Sequence, residues 1–147
     1  MNKWSEQYQD PSMEELLEAL PAEARKAMET LREWVHGSLG GVGRLTYYDV
    51  AWRWCETYEL RPEGSDLLQT VHLIPDPESP RVALSCQRHF FEQQPLPAIH
   101  KSLQSGLGDA VCVGSLAWCC WGMNAPETAA ALQELLEQMS PSSVPKL

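Results

Sequence analysis

Residues 67–86 read LLQTVHLIPDPESPRVALSC, and they decide the fold. Leu68, Thr70, His72 and Ile74 face opposite to Leu67, Val71 and Leu73, the period of two that sends side chains to alternate faces of a strand. Pro75, Pro77 and Pro80 then enclose Asp76, Glu78 and Ser79, a stretch that cannot donate a regular ladder and therefore reads as a hairpin loop. Arg81 to Cys86 is the returning strand, so the sheet is antiparallel at its centre.

Working outward, Leu45 to Tyr58 is largely aromatic or β-branched, and Val50, Trp52 and Trp54 alternate against Ala51, Arg53 and Cys55, which predicts a single strand. The polar turn Arg61 to Asp66 connects it to the hairpin, as in a meander. On the other side, Pro95 to Gln104 carries Leu96, Ile99 and Leu103 at helical spacing. Ala110 to Trp121 is the last predicted strand, and its near-continuous apolar character places it centrally with protein on both faces. Three further helices are expected. Ser12 and Glu15 are spaced as a capping box before Met13, Leu16, Leu17 and Leu20. A second helix starts at Pro21, presents Ala24, Ala27, Met28, Leu31, Trp34 and Val35, and ends near His36-Gly37, ahead of the turn-forming Gly40, Gly41 and Gly43. The third has Asn124 as N-cap, Pro126 in its first turn and the stripe Leu132, Leu135, Leu136 and Met139. The order ααβββαβα defines an α+β two-layer sandwich, an antiparallel sheet with helices packed on one face. One domain covers residues 1–139, and the Ser- and Pro-rich residues 140–147 form a tail.

The 147 residues hold 20 Asp and Glu against 11 Lys and Arg, a net charge of −9 that repels phosphate backbones and anionic lipid and argues against nucleic-acid binding. No apolar run of signal-peptide type opens the chain, and Ala110 to Met123 falls short of the ~20 residues that span a bilayer. The five cysteines (Cys55, Cys86, Cys112, Cys119 and Cys120) are odd in number and mostly sit among apolar neighbours, as reduced buried thiols do. The expectation is a cytoplasmic protein without disulfides or a membrane span.

Three constellations bear on function. Glu14, Glu15 and Glu18 share a face of the first helix, an arrangement of oxygen ligands that suits a hard cation or serves as a solvated surface. His72 and Cys86 face each other on adjacent predicted strands, yet no cysteine or histidine spacing matches a zinc site, and a cysteine nucleophile would need an electropositive setting. The aromatic set is the third. Trp52 and Trp54 on one strand, Trp118 on another and Tyr48 beside them line one wall of a concave surface if the helices leave that face open. Gly37 to Gly43 lacks the lysine and the spacing of a phosphate-binding loop, and nothing calls for a cofactor.

Three segments also resemble the YdhG-like family of bacterial domains, whose fold is frataxin-like: Leu20-Pro21-Ala22-Glu23-Ala24-Arg25, the strand around Ala51-Trp52-Arg53-Trp54, and Ala117-Trp118-Cys119-Cys120-Trp121 leading into Pro126 to Met139. The resemblance implies an α+β sandwich and, as for a few members, an iron-chaperone role through surface carboxylates. It departs from the family at the proline-rich loop Pro75 to Pro80, and no family motif marks Glu14, Glu15 or Glu18. The residues themselves favour a non-enzymatic binding module whose tryptophan-lined sheet surface takes a protein partner or an apolar small molecule. Such a face would equally serve a homodimer. Iron handling and a cysteine-dependent enzyme are the alternatives.

Overall fold

Ser12 caps the first helix as its sequence requires: its Oγ accepts from the Glu15 N–H at 3.2 Å while Glu15 Oε1 accepts from the Ser12 N–H at 3.3 Å. In the computed structural model, which describes residues 3–5, 8, 11–38, 43–48, 53–60, 69–87, 103, 111–114 and 116–139, that helix is α1 (Met13–Glu18). It is followed by α2 (Ala22–Ser38) and, near the C-terminus, α3 (Pro126–Met139). Helix α3 begins with Pro126, so Asn124 stands one residue too early to be its cap; Pro126 takes the first helical position, where a missing N–H costs nothing.

The sheet has six strands: β1 (Arg44–Tyr47), β2 (Trp54–Leu60), β3 (Gln69–Ile74), β4 (Arg81–Gln87), β5 (Val111–Val113) and β6 (Leu116–Gly122). They are ordered β1-β2-β3-β4-β6-β5, and every neighbouring pair is antiparallel. The fold is therefore α+β, a sheet layer and a helix layer.

Two expectations need correction. The stretch expected to form one strand from Leu45 to Tyr58 is a hairpin: Tyr47 pairs with Trp54, the Tyr48 N–H closes the turn on the Arg53 carbonyl at 2.6 Å, and Arg53 takes a φ of 31°. Likewise Ala110 to Trp121 folds back on itself. Val113 pairs with Leu116, and Gly114 between them has a φ of 62°, a left-handed conformation that glycine adopts without strain. Strand β6 is not covered on both faces either, because Ala117, Cys119 and Trp121 are buried while Cys120 and Gly122 are exposed.

One face of the sheet meets the helices. Trp54 and Tyr58, Val71 and Leu73, Val82 and Leu84, and Cys119 and Trp121 pack with Leu16 and Leu17, with Ala27, Met28, Leu31 and Val35, and with Leu132, Leu135 and Leu136 in one continuous core. Leu103, alone of the helix expected over Pro95 to Gln104, lies within the described residues; it is helical, buried, and accepts the Trp121 indole N–H at 3.0 Å. The hairpin loop Pro75 to Pro80 forms as expected, with Asp76 accepting the Glu78 N–H at 3.0 Å and meeting Arg81 at 3.4 Å. At the opposite face, Trp4 packs on Cys55, Ile74 and Ala83 and donates its indole N–H to the Trp54 carbonyl at 2.8 Å. The expected tail, 140–147, lies outside the described residues.

Candidate functional site

Alternation along β2 and β3 puts one polar cluster on each face of the sheet. The inner one is built on Glu56, which shares its face with Trp54 and Tyr58 and is buried beneath α2. A lone carboxylate there would be prohibitively desolvated, and Arg32 of α2 answers it with a two-pronged ion pair, Nε to Oε1 at 2.7 Å and Nη2 to Oε2 at 3.1 Å. The Tyr58 hydroxyl donates to Glu56 Oε1 and lies 3.0 Å from His36 Nε2. Burial, then the bond to Glu56, pushes the Tyr58 phenol well above its usual range, and the Glu56 hydrogen bond raises Arg32 further still. Both keep their protons at any ordinary pH. This cluster ties α2 to β2.

The third nitrogen of Arg32 reaches Glu14 at 3.1 Å, and a backbone hydrogen bond followed by this guanidinium holds the Glu14 carboxyl below the usual range. Glu15 is engaged in the cap. Glu18 borders an open cleft of about 450 Å³ between α1 and α2, where Glu14, Glu29 and Glu33 are interleaved with Arg25 and Arg32. Cation ligation by Glu14, Glu15 and Glu18 would thus compete with a guanidinium and a helix cap. Among the described residues no three His, Cys, Asp or Glu side chains converge as a metal site would need.

The outer cluster centres on His72. Its register partner is Ala83 rather than Cys86, which pairs with Ala117, so the expected His72–Cys86 apposition does not form. Ala83 and Ser85 are small, and above them the His72 and Trp118 rings meet across the intervening β4, stacked at 5.8 Å with planes 21° apart. Tyr48 presents its edge to His72 at 6.2 Å and 86°. Thr57, directly opposite His72, places its Oγ1 3.0 Å from Nδ1, 3.5 Å from the Tyr48 hydroxyl and 3.7 Å from Cys55 Sγ. Burial alone lowers His72 to about 4, so the imidazole is neutral at physiological pH. Trp118 and Thr57 are half-buried, and Tyr48 is 36% exposed.

Of the four residues expected to line a binding surface, Tyr48 and Trp118 each meet His72 here, from opposite sides. Trp54 does not: it points to the helices, at the same face as Tyr47, whose ring meets it at 5.3 Å. Trp52 lies outside the described residues. Among the described tryptophans, Trp4, Trp34, Trp54 and Trp121 pack into or against the core, and Trp118 is half-buried on the outer face. His72 and Thr57 were not singled out as binding residues, although the alternation of 67–74 had already set His72 on the face away from Val71 and Leu73.

Of the four thiols whose surroundings are described, two are buried and two exposed. Cys55 and Cys119 are buried, and burial raises them to about 11 and about 12, which keeps them protonated and poorly nucleophilic. Cys112 and Cys120 are exposed, contrary to the expectation of general burial. Among the described residues no helix is long and apolar enough to cross a membrane.

Fold and site together define an α+β sandwich with a neutral aromatic cluster on the sheet face turned away from its helices. No protein-family model, curated protein or solved structure matches the chain.

Proposed function

We propose that the protein is a non-enzymatic binding module and that the Tyr48–His72–Trp118 cluster holds an apolar small molecule. The observation that carries this reading is the placement of a half-buried tryptophan, stacked on a neutral histidine, on the outer face of a sheet whose other face is packed by helices. Half-exposed indole offers contact area at little conformational cost, and a neutral imidazole adds no charge to desolvate. The buried Cys55 and Cys119 are kept protonated, and the inner ion pairs are locked into the core, so neither competes as a ligand site.

The test uses the neutral fluorescent probe N-phenyl-1-naphthylamine. Its emission should rise on titration with the full chain, and Trp118→Ala should weaken binding by about tenfold, the scale expected from losing a ring contact and its buried area. Absence of binding, or equal binding by a folded Trp118→Ala variant, defeats the proposal.

A further inference from the structure

Beside the aromatic cluster, the outer face carries a second apolar bed, which the chain fills with one of its own rings. Cys55 of β2, Ile74 of β3 and Ala83 of β4 form it, all three buried, and the Trp4 indole packs on them while its N–H donates to the Trp54 carbonyl at 2.8 Å. The ring is held by apolar contact and one directed bond, the combination that small-molecule sites use. Its carrier is slight by comparison. Trp4 sits in a single 3-10 turn, Lys3–Ser5, which belongs to neither layer, and the Tyr47 hydroxyl reaches the Ser5 carbonyl at 3.4 Å, a long bond. Trp4 is half-buried, whereas Trp121, whose indole N–H is bonded to the Leu103 carbonyl at 3.0 Å, lies within the core. A short turn outside the layers opens at far lower free-energy cost than the layers themselves.

We propose that this bed is an indole-binding site in which Trp4 is a displaceable occupant: when the turn Lys3–Ser5 lifts away, a free indole lies on Cys55, Ile74 and Ala83 and donates its ring N–H to the Trp54 carbonyl. The site is separate from the Tyr48–His72–Trp118 cluster and does not depend on it. Two features set the ligand's chemistry. The bed offers a thiol, an aliphatic chain and a methyl group, so a charged ring would be desolvated there without compensation. The Trp54 carbonyl loses the Trp4 bond when the turn lifts, so a ring that supplies an N–H is preferred over one that cannot, by roughly twofold to tenfold for a net hydrogen bond. Trp4 then acts as a built-in competitor, and the apparent affinity for indole is the intrinsic affinity scaled by the fraction of molecules whose bed is vacated.

The unsubstituted chain tests the opening. In hydrogen–deuterium exchange followed by NMR, the Trp4 indole N–H should exchange at least about a hundredfold faster than that of Trp121, because it needs only the local event, and saturating indole should move the Trp4 signal to the position of a solvated ring. Equal protection of the two, or a Trp4 signal that indole leaves in place, overturns the proposal. Calorimetric titration tests the site. Trp4→Ala should bind indole about tenfold more tightly than the unsubstituted chain does, and about fivefold more tightly than it binds 1-methylindole, which lacks the N–H. Equal indole affinity with and without Trp4, or no preference over 1-methylindole, overturns it as well. If Trp118→Ala rather than Trp4→Ala changes indole affinity, the ligand sits in the aromatic cluster, and the bed fails as a site while the cluster reading stands.

Discussion

His72 owes its chemistry to position rather than to partners of opposite charge. Buried on the outer face, it is held at about 4, far below the ordinary histidine value of 6.5, because an imidazolium there would be desolvated. In the unfolded chain the same residue takes up its proton near pH 6.5, so between pH 6.5 and 4 the unfolded state binds more protons than the folded one. The stabilisation is complete above pH 6.5 and is lost as pH falls toward 4. Urea denaturation should therefore show about 2 kcal/mol less stability at pH 5 than at pH 7 from this group, and His72→Gln should flatten that slope. A stability that is level over this range in both proteins would mean that His72 is solvated.

At the scale of elements, two glycines from the same Gly-rich stretch have opposite roles. A Cβ on Gly43 would lie 2.7–2.8 Å from the Tyr58 ring and hydroxyl, and Tyr58 is fixed by Glu56. Gly43→Ala should destabilise by about 1–3 kcal/mol, the usual penalty for overpacking. Gly37, inside the last turns of α2, has open space around its Cβ position, and Gly37→Ala should stabilise by up to about 1 kcal/mol. Thermal melts of the two variants moving in the same direction would refute this account. The same elements show what a sequence discloses. Apolar spacing and the Ser12–Glu15 pair located α1, α2 and α3 to within a residue or two, because helix periodicity and capping are local. The hairpin β3–β4 was legible for the same reason, through its prolines. The β1–β2 and β5–β6 turns were not, since a period of two looks alike in one long strand and in two short ones; only Asp49 and the dipeptide Gly114-Ser115 marked them. That misreading set Trp54 beside Trp118, whereas strand register puts them on opposite faces. Tyr48 and Trp118 were visible as aromatics, but that each meets His72 depends on strand order, and for Trp118 on β4 offering the small Ala83 and Ser85 beneath the stacked rings, facts of neighbouring strands that no local pattern contains.

For the molecule as a whole, the net charge of −9 and the neutral outer cluster act on different ranges. Stacking and hydrogen bonding operate at contact, while the summed field of the carboxylates reaches a Debye length of about 10 Å at 0.1 M salt and penalises any anion approaching the sheet. An aromatic ligand with a carboxylate on its rim should then lose on two counts against the bare ring, the long-range repulsion and the desolvation of its charge beside the half-buried Trp118 ring, of which only the first is screened. 2-Naphthoate should bind roughly tenfold or more weakly than naphthalene at low ionic strength, and raising salt to about 0.5 M should recover part of that difference while leaving naphthalene nearly unchanged. Full recovery would assign the whole penalty to the field and place the bound carboxylate in solvent; equal binding at low salt would show that the negative charge does not extend over this face, and with it the selection for neutral ligands would fail.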